Sequence, residues 1–198
     1  MCALLKPFVV REHLIDMGVL VFTPRDFQRI FKTDKSRTKY FLEEYTRSGF
    51  LLRLKKGLYA IRSDLPPEEE IANLLYQPSY ISFEYALNLY NILPEMTYTI
   101  TSATSKSTRN FEVDGKSFSY FSIKVNAFTG YVPVKRRGRT VLIAEKEKAL
   151  VDYLYFVSLS KKPKNERLYF SGLDVEKVFH YAGLYQRKGL DLLVKELL

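Results

Sequence analysis

The side chains in this sequence that are best suited to bind another molecule are basic, and one group lies close together in the first third of the chain. Residues 35–40, KSRTKY, supply five that share the outer side of a candidate helix: Lys35, Ser36, Arg37, Lys39 and Tyr40. Arg can bind guanine through two hydrogen bonds, and Ser can contact base edges or phosphate. The positive end of a helix also favours phosphate. This combination predicts a contact with the major groove of double-stranded DNA.

A second basic group follows in the segment LLRLKKGLYAIR, residues 51–62. Leu52 and Leu54 alternate with basic residues, which is the pattern of a strand with one apolar and one basic face. The chain then turns at Gly57 and returns. Such a hairpin can pack its apolar face on helices and offer its basic face to a phosphate backbone. We therefore add three residues to the predicted DNA contact: Arg53, Lys55 and Lys56.

The order of the surrounding elements favours DNA binding over the alternative, which is that these are ordinary solvent-facing charges. A helix is predicted first, and residues 19–22, VLVF, suit a short strand. Thr23 and Asp26 are spaced almost as in a capping box, which predicts the start of a second helix. Asp34 suits the start of a third helix. Helix, strand, helix, helix and hairpin together predict a winged helix-turn-helix domain.

The charge of the chain is distributed unevenly. Residues 1–63 hold 13 Lys or Arg against six Asp or Glu, residues 64–110 hold two against six, and residues 111–198 hold 16 against ten. The net charge of +9 and the pI of about 9.4 favour an anionic partner such as nucleic acid. The prolines and glutamates of DLPPEEEIA interrupt the pattern near residue 64. We predict the winged helix-turn-helix domain at 1–63 and a second domain at 64–198.

The second domain alternates between helical and strand patterns, so the predicted fold class is α+β. Antiparallel hairpins are predicted over residues 109–123, which turn at Asp114 and Gly115, and over residues 130–144. Helices are predicted over residues 67–76, 81–95 (with Ser82 as a cap), 145–159, 174–182 and 188–198. This is a mixed α/β domain with C-terminal helices.

The turn of the second hairpin is another candidate basic patch. It holds four cations in five residues: Lys135, Arg136, Arg137 and Arg139. They could touch phosphate, or they could form a solvated loop. Five aromatic residues near or on the predicted strands could stack on bases or could belong to the core: Tyr98, Phe118, Tyr120, Phe121 and Tyr131.

Residues that could support catalysis are sparse. His13 and His180 are far apart and lack metal-ligand spacing. The sequence has no phosphate-binding glycine loop and no nucleophile elbow. Cys2 is the only cysteine, which excludes a disulfide within the chain and fits a reducing compartment. We therefore expect no enzyme activity, no catalytic residue and no cofactor.

Three carboxylates could form a metal site of a nuclease: Glu145, Glu147 and Asp152. Anions stabilise the start of a helix, which explains Glu145 and Glu147 without a metal. Asp152 could hold a buried contact, with Arg109 as a candidate partner, or it could be an exposed carboxylate. We expect no metal.

Three segments of the second domain resemble the AbiEi-type antitoxins of bacterial and archaeal abortive-infection modules, described as predicted transcriptional regulators of viral defence. They are YISFEYALNLYNILPE at 80–95, the pattern Thr-x-x-x-x-Arg-x-Phe from Thr104 to Phe111, and Ile-Ala-x-x-Glu-Lys-Ala-Leu-x-Asp from Ile143 to Asp152. Their order and spacing carry the resemblance, which extends over nearly the whole chain. The basic loop at 160–172, SKKPKNERLYFSG, departs from it.

The resemblance implies two roles in a type IV toxin–antitoxin module of antiviral defence. One is autorepression, with the N-terminal domain bound to double-stranded operator DNA. The other is antitoxin activity of the C-terminal domain against a co-encoded nucleotidyltransferase-like toxin, without a stable complex. An alternative is an antitoxin that acts on RNA or on the toxin with little sequence-specific DNA binding. Since no apolar run could span a bilayer and no signal peptide is apparent, we expect a cytoplasmic protein that does not bind membranes.

Overall fold

The chain divides into two compact units, Met1–Pro67 and Glu68–Leu198, in a computed structural model that describes residues 5–198. Helices and two separate sheets are present, so the fold class is α+β. The predicted boundary after residue 63 falls inside a short 3-10 helix, Arg62–Asp64, which belongs to the first unit. The second unit begins with the glutamate-rich helix that follows the two prolines.

The first unit packs helices against a small sheet. Its elements are α1 (Pro7–Asp16), β1 (Val21–Phe22), α2 (Pro24–Phe31), α3 (Lys35–Arg47), β2 (Leu51–Lys55) and β3 (Leu58–Ile61). The strand order is β1-β3-β2, and both pairings are antiparallel. Each of these helices and strands contributes to one apolar core, which contains Val10, Leu14, Phe22, Phe27, Phe41, Leu42, Leu51 and Ile61.

Side-chain caps determine where α2 and α3 begin. Thr23 Oγ1 accepts a hydrogen bond from the Asp26 N–H at 3.2 Å, and the Thr23 N–H donates to Asp26 Oδ2 at 3.0 Å. This is the reciprocal pattern of a capping box. Asp34 Oδ1 accepts from the Arg37 N–H at 2.8 Å. The start of α3 is therefore fixed, and with it the side of the helix on which each residue lies.

The second unit is built on a six-stranded mixed sheet. Its elements are α4 (Glu68–Leu75), β4 (Ser79–Ile81), α5 (Phe83–Leu89), β5 (Thr99–Thr104), β6 (Arg109–Val113), β7 (Lys116–Ser122), β8 (Tyr131–Arg136), β9 (Arg139–Ala144), α6 (Lys146–Ser158), α7 (Val175–Leu184) and α8 (Lys188–Leu197). The strand order is β6-β7-β5-β4-β9-β8. The pairs β5–β7 and β4–β9 are parallel, and the other pairs are antiparallel.

Helices cover both faces of this sheet. The buried Tyr120 phenol on β7 donates to the carbonyl of Ala72 on α4 at 2.5 Å. The next residue, Phe121, packs instead against Phe83 of α5 and Phe156 of α6. Because successive strand residues point to opposite faces, α4 lies on one face and α5 with α6 on the other. No helix among residues 5–198 is long and apolar enough to cross a membrane.

The helix predicted over residues 81–95 is shorter in the structure. Its first residue belongs to strand β4, and α5 ends at Leu89, five residues before Pro94. Ser82 occupies the N-cap position but forms no capping hydrogen bond, because its hydroxyl donates to Asp152 Oδ2 at 2.7 Å. Over a few residues, a buried strand and the start of a buried helix have the same apolar pattern. This ambiguity explains why the predicted helix begins too early.

Candidate nucleic-acid interface

The outer side of α3 carries all five residues that the sequence places there. Lys35, Ser36, Arg37, Lys39 and Tyr40 are exposed, and the Tyr40 ring is 62% exposed. The opposite side of the helix is packed into the unit by Thr38, Phe41 and Leu42, which are buried. The basic side of α3 is therefore open to a partner along its first turns.

Two of these cations form weak ion pairs within the helix. Arg37 Nε is 3.3 Å from Asp34 Oδ2, and Lys39 Nζ is 3.9 Å from Glu43 Oε1. All four side chains are more than half exposed. Exposed pairs of this kind contribute little to stability. A phosphate or a base edge could therefore replace the carboxylate at low cost.

The β2–β3 hairpin presents its basic residues unequally. Leu52 and Leu54 are buried, whereas Arg53 and Lys56 are exposed and Lys55 is half-buried. The pairing register shifts between Arg53 and Lys55, which breaks the simple alternation of faces. Arg53 and Lys56 are therefore the hairpin residues most accessible to a phosphate backbone.

A groove adjoins the basic side of α3 and includes residues outside the predicted DNA contact. It has a volume of about 490 Å³ and is lined in part by Arg25, Gln28, Lys35, Lys39 and Tyr59. The sequence contained a signal for Arg25. A cation is unfavourable at the positive start of a helix, so an arginine in the first turn of α2 indicates a role other than helix stability. The groove brings α2, α3 and β3 together around three cations.

The second predicted basic patch is only partly free. Arg139 donates two hydrogen bonds of 2.7 Å to the carboxylate of Glu70, and Arg136 Nε is 4.0 Å from Glu69 Oε1. Lys135 and Arg137 are exposed. The hairpin turn therefore offers two exposed cations, while the two arginines beside them anchor it to α4.

The three acidic residues of the predicted nuclease-type cluster do not converge. Glu145 accepts hydrogen bonds from the Tyr181 phenol at 2.8 Å and from Lys177 Nζ at 3.2 Å, and these bonds lower its pKa. Glu147 is buried and accepts from the Asp174 N–H at 3.0 Å. Within residues 5–198, no group of three or more His, Cys, Asp or Glu is arranged to hold a metal ion.

Asp152 is fully buried, so the predicted buried contact is confirmed, but its predicted partner Arg109 and the alternative of an exposed carboxylate are wrong. Its carboxylate accepts hydrogen bonds from the phenols of Tyr80 and Tyr185, from the Ser82 hydroxyl and from Lys148 Nζ, which is equally buried. Arg109 lies against aromatic rings instead. The sequence contained a signal for this network, since Lys148 and Asp152 are spaced i, i+4 within an apolar helix.

Burial governs the ionisation of the groups around Asp152. It raises the pKa of Tyr80 and of Tyr185 well above the usual range, and the Asp152 charge adds to both shifts. Burial also lowers the pKa of Lys148, against the opposing effect of Asp152. Because these groups are closed to solvent, we assign the network to the interior structure and not to binding or reaction.

The remaining candidates occupy ordinary structural positions. His13 packs on Phe31 in the first unit, with ring centres 5.5 Å apart, and His180 packs on Tyr181 in the second unit at the same distance. Cys2 lies outside the described residues.

The aromatic residues on the strands of the second unit belong mostly to its interior. Phe118 and Tyr120 are buried and cannot stack on a base, whereas Phe121 and Tyr131 are half-buried. Tyr98 is 86% exposed, just before β5.

Comparisons with models of known protein families and with curated proteins find no match to this chain. Its function is therefore inferred from its side chains and from the resemblance described above.

Proposed function

We propose that the chain is a DNA-binding transcriptional autorepressor and antitoxin of an AbiEi-like, type IV toxin–antitoxin module. The observation that carries the DNA-binding role is the exposed basic side of α3, with Lys35, Arg37 and Lys39 on the side opposite the core. On this proposal the first unit is a winged helix-turn-helix, with α3 as the recognition helix.

The two basic elements would have different tasks on DNA. The start of α3 would enter the major groove, where Arg37 can exchange Asp34 for a guanine edge. Arg53 and Lys56 on the β2–β3 hairpin would contact phosphates, which fixes orientation but reads no sequence. Lys35 and Lys39 would add phosphate contacts beside the groove that contains Arg25.

The antitoxin role is supported by the resemblance of the second unit. A nucleotidyltransferase-like toxin would be its functional partner, without a stable complex. The segment from Ile143 to Asp152, which contributes to the resemblance, lies on β9 and α6 and supplies Lys148 and Asp152 of the buried network. Part of this segment therefore maintains the fold of the unit.

Footprinting on the DNA upstream of the gene tests the repressor role. We expect one or more protected sites and loss of protection in a Lys35→Ala, Arg37→Ala, Lys39→Ala triple variant. A control with the same loss of charge, Lys161→Ala, Lys188→Ala and Lys195→Ala, should protect the same sites. The absence of any protected site with the wild-type protein would contradict the proposal.

The salt dependence of operator binding tests the role of the hairpin. Each phosphate contact removed lowers the slope of log K against log salt by about 0.9. We expect this reduction for Arg53→Ala and for Lys56→Ala, with similar losses on specific and non-specific duplexes. Lys195→Ala, on the exposed side of α8, should keep the wild-type slope. An unchanged slope in both hairpin variants would show that the hairpin does not contact the phosphates of the DNA.

A further inference from the structure

Cations and aromatic rings also meet at one edge of the sheet in the second unit. We call this group the edge patch: Tyr76, Lys106, Arg109 and Phe111. Tyr76 directly follows α4, Lys106 lies in the loop between β5 and β6, and the other two lie on β6. Strand β6 is the last strand on its side of the sheet. The edge patch is therefore distinct from the basic turn at Lys135–Arg139, which joins the strands at the other edge.

Both cations of the edge patch lie against aromatic rings. Lys106 Nζ is 5.8 Å from the centre of the Tyr76 ring, and the Arg109 guanidinium carbon is 5.6 Å from it. Arg109 is also 5.7 Å from the centre of the Phe111 ring. Buried Tyr120 packs against the Tyr76 and Phe111 rings at 5.3 and 5.7 Å and holds them in place. Arg109 is exposed, and both rings are half-buried, so part of each ring faces solvent.

The positive charge of the edge patch is not neutralised within the described part of the chain. Among residues 5–198, neither Arg109 nor Lys106 forms an ion pair with an Asp or Glu, although Arg139 and Arg167 do. Lys106 Nζ donates to the Gln77 carbonyl at 2.6 Å. Residues 71–83, 96–111 and 115–144 contain no Asp or Glu, and Glu112 on β6 points to the opposite face of the strand from Arg109 and Phe111.

Hydrogen bonds hold the backbone around the two cations. Thr104 Oγ1 accepts from the Lys106 N–H at 3.2 Å and donates to the Pro78 carbonyl at 2.7 Å. Thr108 Oγ1 accepts from the Ser122 N–H at 3.1 Å. The loop that carries Lys106 and leads into β6 is thus ordered before any ligand arrives, which reduces the entropy lost on binding.

We propose that the edge patch binds single-stranded nucleic acid. Exposed cations attract phosphates, and partly exposed aromatic rings accept an unstacked base, which is how sequence-tolerant single-strand binders work. A duplex keeps its bases stacked and offers nothing to the rings, so single strands suit this patch better. This binding is additional to operator recognition by the first unit and does not depend on it.

Fluorescence anisotropy with the full chain and a labelled oligouridylate of about 12 nucleotides tests the proposal. A Lys106→Gln, Arg109→Gln double variant should bind about tenfold more weakly and lower the salt slope by about 1.4, since each lost contact to a single strand lowers it by about 0.7. Phe111→Leu keeps both charges but removes a stacking surface, so it should also bind about tenfold more weakly. Thermal melting checks that each variant is folded.

A matched control separates the edge patch from general positive charge. Lys135→Gln with Arg137→Gln removes two exposed cations from the other edge of the sheet and should leave oligouridylate binding almost unchanged. Equal losses in the two double variants would overturn the proposal. A loss in the edge-patch double variant but none in Phe111→Leu would also overturn it, because a phosphate-only site fits a phosphorylated peptide or a duplex.

Two further measurements define the ligand. Repeating the titration with an oligodeoxyuridylate of the same length shows whether the edge patch prefers RNA or DNA. Tighter binding of either one supports a site for single-stranded nucleic acid. Operator duplex binding should be unaffected by the edge-patch variants. Failure of operator binding in the wild-type protein would contradict the repressor proposal alone. Oligouridylate binding that is insensitive to Phe111→Leu, or to the Lys106→Gln, Arg109→Gln double variant, would contradict this one alone.

Discussion

Arg37 stabilises the start of α3 through its backbone and carries an exposed side chain on the basic side of the helix. Its backbone N–H is bonded to Asp34 Oδ1, which fixes the first turn of α3. Its guanidinium forms an exposed ion pair with the same carboxylate, and both side chains are 58% exposed. The backbone role and the side-chain role are therefore separable by substitution.

We expect Arg37→Ala to weaken operator binding by about 1–3 kcal/mol and to relax the preference at one base position, as for loss of a bidentate contact to guanine. Binding to operators with each base substituted in turn measures both effects. Arg47→Ala serves as the control, because Arg47 is an exposed arginine in the last turn of the same helix. Equal weakening at all base positions would show that Arg37 contacts phosphate instead.

Two carboxylates make the first unit sensitive to acid. Hydrogen bonds from the Arg11 guanidinium lower the pKa of Asp64, and hydrogen bonds from Thr23 lower the pKa of Asp26. In the unfolded chain both groups return to a pKa of about 4. Each therefore stabilises the folded state above that value, and this contribution is lost as the pH falls through about 4 towards the lower folded pKa.

We expect the melting temperature to fall as the pH is lowered from about 6 to about 3. Asp64→Asn removes the Arg11 pair, so it should melt below the wild type at the higher pH, and the difference should shrink at the lower pH. Circular dichroism melting across this range measures it, with Asp16→Asn on α1 as an exposed-carboxylate control. A difference that stays constant with pH would rule out ionisation of Asp64 as the cause.

At the scale of elements, the buried network around Asp152 joins three parts of the second unit. Tyr80 comes from β4, Lys148 and Asp152 from α6, and Tyr185 from the end of α7. Lys124 and Arg187 add hydrogen bonds to the carbonyls of Tyr185 and Ser158. The C-terminal helices are therefore attached to the sheet partly by polar contacts that are closed to solvent.

We expect Asp152→Ala to lower the free energy of unfolding by about 3–5 kcal/mol, because it leaves the Lys148 ammonium buried without its partner. Urea unfolding measures this value. Glu166→Ala, in the exposed loop after α6, should change the free energy of unfolding by no more than about 0.5 kcal/mol. A loss from Asp152→Ala as small as that of the control would mean that the network relaxes or takes up water.

Local signals predicted the elements of the first unit better than those of the second. Thr23 and Asp34 act through neighbours three residues away, so their helix starts could be read from the sequence. Strand β4 could not, because its three buried residues depend on partners in β5 and β9 that are distant in sequence. The edge patch could not be predicted for the same reason. Tyr76 and Arg109 are distant in sequence, and only the folded second unit brings them into contact.

At the scale of the whole molecule, the positive charge is concentrated in the first unit. Met1–Pro67 contain 13 Lys or Arg against seven Asp or Glu, and Glu68–Leu198 contain 18 against 15. The smaller unit thus carries two thirds of the net charge. Long-range attraction to a polyanion should act mainly on the first unit, while cations of the second unit matter only where, as at Arg109, no carboxylate compensates them.

The second sheet ends on both sides in a strand with one unpaired edge, and such edges can recruit another chain into a continuous sheet. In β8 the exposed Pro133 lacks an N–H and interrupts the row of donors that an incoming strand would need. In β6 the exposed Arg109 and Glu112 point to opposite faces, so each face of this edge strand carries a charged side chain, which disfavours pairing with another strand. The two edge strands therefore disfavour edge-to-edge aggregation with other chains. This property matters most for newly synthesised chains at high local concentration.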